Sequence, residues 1–426
     1  MKNINTVIQE VKDGVYTDWL KEIYVDESKI EYQQNRYHYA LINFKSLYGD
    51  KEIEIYSAAG RSEVGGNHTD HQHGKVIATS LNLDAIGVVA KREDQLVKIK
   101  SEGYKPFTVD LSDLSLVDEE VGTSLALTKG VAKKIVDNGY KIGGFDAYIT
   151  SDVLNGAGMS SSAAFEVLLG NIFSGLFNDG NLDQVLIAQI SQYAENVYFG
   201  KPCGLMDQMA CAYGGLINID FKDPSNPIVH PVKVDFEHYK HSLCIVDTKG
   251  SHADLTDEYA AIPVELKKVC DFFGKEFLRD VKEEDFYANL PAVREAAGDR
   301  AVLRAIHVFE ENKRVDAQME ALERGDFEGF KALIKASGNS SYKFLQNIYA
   351  NKDYNNQSVS IGLAISEVIL KDRGVCRVHG GGFAGTIQAF VPDDMVVEYK
   401  KGIEAVFGEG SCHILKVRKY GGMKVL

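Results

Sequence analysis

The chain has 426 residues, with 47 basic and 61 acidic side chains, a formal net charge of −14 and 45% hydrophobic residues. This composition is typical of a soluble globular protein and excludes disordered, collagen-like and coiled-coil chains. The length predicts two or three domains of about 100–200 residues, with space for a site where they meet. The acidic balance argues against nucleic acid and anionic membrane surfaces as partners.

The cysteines and the first residues predict a cytoplasmic protein. Six cysteines are scattered along the chain without a C-x-x-C pair, which favours reduced thiols. Residues 1–6 lack the basic region and apolar run of an export signal, and no stretch of about 18 apolar residues is present. The sequence therefore predicts neither export nor a membrane span.

The hydrophobic pattern predicts two α+β halves, at 1–240 and 241–426. A Gly/Ser loop at 155–162 opens a helix whose apolar residues recur at helical spacing. The pattern predicts a helix at 29–48, strands at 52–56, 85–90, 96–100 and 144–150, strand-like stretches within 215–246, mostly helix over 255–350, and then strand 386–391, helix 394–407 and strand 412–418.

The Gly/Ser loop is typical of a phosphate-binding turn. Gly156 and Gly158 let an anion approach the main chain, and Ser160, Ser161 and Ser162 add hydroxyl groups at the positive end of the helix dipole. The alternative is a serine-capped helix without a ligand. A Walker loop is excluded because no Gly-Lys-Ser/Thr follows.

A second glycine cluster, Gly380–Gly385, formally fits the G-x-G-x-x-G dinucleotide pattern. That pattern requires a following helix, whereas residues 386–391 are predicted as a strand. We therefore expect a tight turn that contacts a ligand or a neighbouring loop.

A third cluster, Gly60–Gly74, contains His68, Asp70, His71 and His73. These residue types can ligate a metal, but their spacing fits neither a helical i, i+4 pair nor a standard zinc motif. Short polar groups on a glycine-shaped loop are better suited to a substrate rich in hydroxyl groups.

The fourth segment contains Glu195 and, within Lys201–Gln208, an aspartate at position 207 among apolar and small residues. Desolvation would raise the pKa of Asp207, and a nearby cation would lower it. The alternative is an ordinary capping or loop aspartate.

In this order the four segments resemble the GHMP kinase superfamily and, within it, the galactokinase family. Residues 60–74 are similar to the galactokinase signature, 154–164 to the ATP-binding loop, 203–208 to the catalytic segment and 378–385 to the C-terminal glycine motif. The resemblance implies an α+β fold of two domains, a ribosomal-S5-domain-2-like N-terminal half and a ferredoxin-like C-terminal half, with the active site between them.

The resemblance also implies an activity, which is phosphoryl transfer from ATP and Mg²⁺ to the anomeric hydroxyl group of galactose. Asp207 would be the general base, and Arg61 would keep it ionised and stabilise the transferring group. Ser162 and Glu195 would bind Mg²⁺. The implied ATP-binding residues are Gly156, Ala157, Gly158, Met159, Ser160, Ser161 and Ser162, and the implied sugar-binding residues are Asn67, His68, Asp70, Gly204 and Tyr259.

Several positions depart from the family pattern. Glu63 replaces the usual Asn, Asn67 the usual Glu that faces the C6 hydroxyl group, and His71 the usual Tyr. Asn67 is neutral and can donate as well as accept a hydrogen bond, so galacturonate or arabinose is an alternative substrate. N-acetylgalactosamine is another, because sequence does not give the space beside C2. A galactose sensor without activity is a further alternative, although Ser162, Arg61 and Asp207 are all present.

Overall fold

Two β-sheets form the framework of the protein. The computed structural model describes residues 1–153, 158–234, 236, 238–250 and 255–426. The strands are β1 (Lys2–Asn3), β2 (Glu52–Gly65), β3 (Lys75–Lys91), β4 (Leu96–Ser101), β5 (Phe107–Asp110), β6 (Phe145–Ser151), β7 (Leu216–Asp220), β8 (Ile228–Val232), β9 (His241–Asp247), β10 (Val375–Val378), β11 (Thr386–Pro392), β12 (Cys412–Leu415) and β13 (Met423–Lys424).

Helices cover these sheets. The helices predicted at 29–48, after the Gly/Ser loop, within 255–350 and at 394–407 are present, and other helices lie in stretches for which none was predicted. The α-helices are α1 (Ile4–Lys12), α2 (Thr17–Tyr24), α3 (Ile30–Tyr48), α4 (Ser124–Asp137), α5 (Ser161–Asn178), α6 (Gln184–Tyr193), α7 (Met206–Tyr213), α8 (Thr256–Phe272), α9 (Glu283–Ala288), α10 (Leu290–Ala297), α11 (Asp299–Glu323), α12 (Phe327–Ser340), α13 (Ser358–Leu370) and α14 (Val396–Phe407). Short 3₁₀ turns lie at Glu27–Lys29, Asp70–Gln72, Asp118–Glu120, Leu278–Asp280, Asn351–Asp353 and Asp393–Met395, and π-helical turns at Ala194–Phe199 and Ser341–Leu345. The α+β class is confirmed.

The larger sheet belongs to the first half of the chain. Its strands run in the order β1-β2-β3-β6-β4-β5, with β7 paired to β3, β8 to β7 and β13 to β2. Side chains that alternate along β2 and β3 enter two different cores, because successive residues of a strand face opposite sides. Ile53 and Ile55 pack with α1 to α3, whereas Tyr56 and Ala58 pack with α5. Both strands are therefore buried along almost their whole length.

The register between β2 and β3 is interrupted between Ala59 and Arg61 and again between Glu63 and Gly65. Such irregularities bend a strand and redirect its side chains. They lie within the polar segment Gly60–Gly74, so the same strand that fills the core can also present Arg61 to a site.

The smaller sheet has the antiparallel order β10-β11-β9-β12 and belongs to the second half. The predicted strand after Gly380–Gly385 is confirmed as β11, and the glycine cluster is the turn of the β10–β11 hairpin. It is therefore not a Rossmann motif, in agreement with the sequence analysis.

Strands β1 to β8 of the larger sheet lie before residue 240, and the strands of the smaller sheet lie after it. The C-terminal tail, however, returns to the larger sheet, where Val417 bridges Leu81 and β13 pairs with β2. The limits 1–240 and 241–426 stay a prediction. Among the described helices, none combines the length and apolar character that a bilayer span requires.

Candidate active site

Arg61 and Asp207 form an ion pair where β2 approaches the first turn of α7. Nε of Arg61 lies 2.6 Å from Oδ1 of Asp207, and Nη2 lies 2.8 Å from Oδ2. This bidentate geometry fixes the plane of the carboxylate. The Arg61 side chain is buried, but 29% of the Asp207 side chain is exposed, so a ligand can reach the carboxylate.

The environment of Asp207 keeps it ionised. Burial alone would raise its pKa, but the charge of Arg61 and the hydrogen bonds from Arg61 and Ser160 lower the pKa to about 2. At neutral pH the group is therefore a carboxylate that can accept a hydrogen bond from a hydroxyl group.

The described part of the Gly/Ser loop contacts this pair directly. The Ser160 hydroxyl donates to Oδ2 of Asp207, and Nη1 of Arg61 donates to the Gly158 carbonyl oxygen. Gly158 has a φ of 65°, and a Cβ there would lie only 2.5 Å from Oγ1 of Thr386. A side chain at position 158 is thus excluded by conformation and by space. Gly156 and Ala157 lie outside the described residues.

Of the remaining predicted loop residues, Met159 lies in the core, and Ser161 and Ser162 lie at the site. Met159 is fully buried, and its carbonyl oxygen accepts a hydrogen bond from the Arg61 amide. Ser161 and Ser162 are the first two residues of α5, and both are partly exposed. The positive end of this helix therefore faces the Arg61 and Asp207 pair.

Ser162 and Glu195, the two residues predicted to bind Mg²⁺, contact each other. The Ser162 hydroxyl donates to Oε1 of Glu195 at 2.9 Å, and Nζ of Lys201 lies 2.9 Å from the same oxygen. A serine hydroxyl and a carboxylate are hard oxygen ligands, as Mg²⁺ prefers. The donor set at this position therefore fits the ion.

Behind this pair lies a second buried carboxyl group, Glu166, on α5. Nε2 of Gln208 contacts both carboxyl groups, at 2.7 Å from Glu195 and 3.4 Å from Glu166. Burial, and next the charge of Glu195, raise the pKa of Glu166 well above its ordinary value. Gln208 therefore orients Glu195 from the side opposite Ser162.

The segment His68–Asp70 forms a polar wall. His68 has a left-handed φ of 57°, and its Nδ1 lies 3.0 Å from Nε2 of His71, while Nε2 lies 3.1 Å from the Gly381 carbonyl oxygen. Burial, and next the charge of His71, lower the pKa of His68 to about 3. His68 is therefore neutral at physiological pH.

Asp70 lies against Gly204 in the loop before α7. A Cβ at Gly204 would be 1.8 Å from Oδ2 of Asp70, so glycine is required for this close approach. A cavity of about 230 Å³ opens beside the two residues, with His71, His73 and Phe277 also in its wall. The cavity places polar and aromatic groups next to Asp70.

Tyr259 contributes from the second half of the chain. Its hydroxyl donates to the Gly382 carbonyl oxygen at 2.8 Å, and its ring meets Phe383 edge to face. The β10–β11 turn therefore contacts Tyr259 through the Gly382 carbonyl oxygen and His68 through the Gly381 carbonyl oxygen. The two halves thus meet at the polar wall.

Asn67 differs from the other predicted sugar-binding residues because its side chain is fully buried. Its amide group donates to Glu63 and to the Gly380 carbonyl oxygen, and its Oδ1 accepts from Ser341 and Asn347. These protein partners occupy the amide completely.

Several residues that the structure brings to the site were not predicted from the sequence to have a role there. Gln208 directly follows Asp207, and Glu166 lies one helical turn after Ser162, so their positions in the sequence could have indicated them. Arg377 and His379 lie just before the glycine turn, and both are buried. No local pattern distinguishes these two from ordinary strand residues.

Two protein-family models match ranges of this chain that contain site residues. Residues 126–215 match the GHMP kinases N terminal domain, and residues 42–91 match the galactokinase galactose-binding signature. The first range contains the Gly/Ser loop, Glu195 and Asp207, and the second contains Arg61 and the polar wall.

Curated relatives cover most of the chain. It is 30% identical over 369 residues to the galactokinase of Streptomyces coelicolor, spanning 85% of this chain and 91% of the relative. It is 30% identical over 366 residues to the galactokinase of Clostridium tetani, spanning 84% and 89%.

Two solved structures also match most of the chain. The structure of Lactococcus lactis galactokinase complexed with galactose matches with a TM-score of 0.77 and 25% identity, over 90% of this chain and 98% of that one. A mevalonate kinase structure matches with a TM-score of 0.60 and 16% identity, over 86% and 99%, which shows the shared fold.

Proposed function

Because the chain belongs to the galactokinase family, we propose that it transfers the terminal phosphoryl group of ATP to the anomeric hydroxyl group of galactose. The observation that carries this proposal is the bidentate contact between Arg61 and Asp207 beside the Gly/Ser loop. It joins a carboxylate, a cation and a helix N-terminus at one point, which is what phosphoryl transfer to a hydroxyl group requires.

Asp207 orients the sugar hydroxyl group and takes its proton. A carboxylate with a pKa of about 2 is a weak base, so the proton moves late, when bonding to phosphorus has made the hydroxyl group acidic. Arg61 holds the carboxylate in plane through Nε and Nη2 and places positive charge beside the transferring group. This charge is already in position before the reaction begins.

The Gly/Ser loop and the start of α5 would bind the phosphates of ATP through main-chain N–H groups and the hydroxyl groups of Ser160 and Ser161. Ser162 and Glu195 would hold Mg²⁺, which neutralises phosphate charge when bound. Gln208 and Lys201 keep the Glu195 carboxylate oriented.

For the sugar, we assign His68, Asp70, Gly204 and Tyr259. Asp70 accepts hydrogen bonds from ring hydroxyl groups, and the absent side chain at Gly204 leaves room for the carboxylate and the ring together. Asn67 acts indirectly, because its side chain is buried and fully engaged. The proposed location is the cytoplasm, since all six cysteines are free thiols.

The test is a panel of sugars with ATP and Mg²⁺, in which ADP release is measured with galactose, galacturonate, arabinose, N-acetylgalactosamine and glucose. We expect the highest kcat/KM with galactose, because the curated relatives are galactokinases and the similar solved structure is complexed with galactose. Higher kcat/KM with galacturonate or arabinose would overturn the assignment of the sugar. Binding of ATP and galactose without ADP release would instead indicate a sensor.

Ser162→Ala and Glu195→Gln should each raise the Mg²⁺ concentration needed for half-maximal activity by about tenfold or more, because the first removes an oxygen ligand and the second replaces a charged carboxylate by a neutral amide. A Mg²⁺ titration of the initial rate measures this. Ser191→Ala, which removes a hydroxyl bonded to a helix carbonyl in α6, is the matched control. Unchanged Mg²⁺ dependence in both site variants would contradict the assignment.

Gly204→Ala should raise the KM for galactose by about tenfold or more, because the new Cβ displaces the Asp70 carboxylate. The KM for ATP should stay within about twofold. Gly87→Ala is the control, since its Cβ would meet the nearest atoms at an ordinary 3.6 Å. Equal galactose KM values for Gly204→Ala and the control would refute the role of this contact.

A further inference from the structure

A buried polar cluster of Glu63, Asn67 and Arg377 joins the polar wall to the second half of the chain. Arg377 lies in β10 and Glu63 in β2, and the two form an ion pair with almost no exposure to solvent. Nη1 of Arg377 also donates to the Val64 carbonyl oxygen at 3.0 Å. The guanidinium group therefore holds both the side chain and the main chain of β2.

Asn67 completes the cluster. Its Nδ2 lies 3.0 Å from Oε1 of Glu63 and 2.8 Å from the Gly380 carbonyl oxygen, while Oδ1 accepts from Ser341 at 3.1 Å and Asn347 at 3.0 Å. An amide has two N–H groups and two lone pairs, and all four have partners here. Only an amide satisfies this mixture of acceptors and donors.

The cluster also balances charge. It contains one guanidinium group, one carboxylate and one neutral amide, all removed from water. Burial raises the pKa of Glu63 even though Arg377 and Arg61 oppose the shift, so the ion pair already carries a desolvation cost. A second carboxylate at position 67 would lie beside Glu63 without a cation of its own.

These contacts position the sugar-binding residues through the main chain. Asn67 directly precedes His68, whose left-handed φ of 57° is an uncommon conformation for a residue with a side chain. The Asn67 carbonyl oxygen is held by Nε2 of His307 at 2.9 Å, and His68 reaches the Gly381 carbonyl oxygen. The cluster thus fixes the polar wall against the same glycine turn that holds Tyr259.

We propose that Glu63 and Asn67 are a coupled pair of positioning residues that, with Arg377, set the geometry of the sugar-binding wall and therefore the affinity for the sugar. The pair works because one member is a carboxylate and the other an amide. The inference rests on the proposed sugar kinase function and adds to it a determinant that does not touch the substrate.

The test is a cycle of isosteric variants, Asn67→Asp, Glu63→Gln and the double variant that carries both changes. Asn67→Asp adds a buried charge, Glu63→Gln leaves Arg377 unpaired, and the double variant again has one carboxylate and one amide. We expect each single variant to raise the KM for galactose by about tenfold or more, with the KM for ATP within about twofold. The double variant should recover part of the lost affinity, because its single carboxylate again balances the charge of Arg377 within the cluster, although the Gly380 carbonyl oxygen stays without its donor.

The Tm of each variant is measured alongside, since a purely structural defect would lower the Tm and the active fraction without changing the galactose KM. Asp316→Asn, which removes an exposed ion pair with Lys75, is the control and should resemble the wild type. The inference would be overturned if the KM increases of the two single variants multiply in the double variant, or if the KM for galactose does not change in any variant. Absence of sugar-dependent ADP release in the wild type would instead refute the proposed function, and the galactose Kd would then replace KM in the cycle.

Discussion

Asp207→Asn is expected to lower kcat for galactose-dependent ADP release by about 10²–10⁴-fold, the usual contribution of a general base. Asparagine has nearly the same shape, but its amide cannot take the proton of the sugar hydroxyl group, and it leaves the buried Arg61 without its carboxylate partner. The Kd values for ATP and galactose should change much less than kcat, since both ligands have other contacts. Steady-state kinetics and calorimetric binding measure the two effects.

Asp94→Asn is the matched control for this variant. Asp94 also forms a bidentate contact with an arginine, Arg92, but 44% of its side chain is exposed and it lies outside the site. Activity of this control should stay within about twofold of the wild type, as expected for a surface pair. Asp207→Asn with more than a tenth of the wild-type kcat would contradict the assigned base.

The pH dependence follows from the same contact. The folded-state pKa of Asp207 is lowered to about 2, so the carboxylate stays ionised as pH falls from 8 to 5, and the base is not lost in this range. His68, with a pKa of about 3, is neutral over the same range. We therefore expect no loss of kcat/KM between pH 8 and 5 from protonation of either group. A fall in this window that Asp207→Asn abolishes would contradict this explanation.

The sequence predicted much of the fold because local patterns carry it. The helix after the Gly/Ser loop and the strand after Gly380–Gly385 were both placed correctly, since each depends on periodicity and glycine spacing. The strand predicted over 412–418 ends at Leu415, because the chain leaves the smaller sheet there and Arg418 enters the core of the larger one. Long-range contacts of this kind leave no local signal.

The site was less predictable from local sequence patterns than the fold. Arg61 and Asp207 are 146 residues apart, and the residues alone gave Asp207 little weight, so their pairing depended on the family resemblance and on the fold. Asn67 was predicted to contact the sugar, yet the structure buries it because Ser341, Asn347 and Gly380 converge on its amide from distant segments. A polar residue in a motif does not reveal whether it faces a ligand or the protein.

Asp84→Asn is expected to lower the free energy of unfolding by about 3–5 kcal/mol, because it breaks a buried charge network. Asp84 has no exposed surface, and its carboxylate lies 2.7 Å from Nη1 of Arg36 and 2.8 Å from Nη1 of Arg418. The hydroxyl groups of Tyr24 and Ser57 also donate to it. In the variant Arg418 faces a neutral amide, whereas Arg36 loses one carboxylate and keeps its ion pair with Asp152 at 3.1 Å. Urea denaturation followed by circular dichroism measures the loss.

This network explains why the C-terminal tail is part of the larger sheet. Asp84 joins α3, which carries Arg36, to the tail, which carries Arg418, so its loss should loosen both at once. Burial would raise the pKa of Asp84, but the two arginines lower it below its ordinary value, so the stability it contributes is present above about pH 4 and is lost as pH falls through the lowered pKa. Asp50→Asn, at an exposed pair with Lys45, should change the free energy of unfolding by less than about 1 kcal/mol. An equally small change for Asp84→Asn would mean that the tail is held by strand pairing and apolar contacts rather than by this charge network.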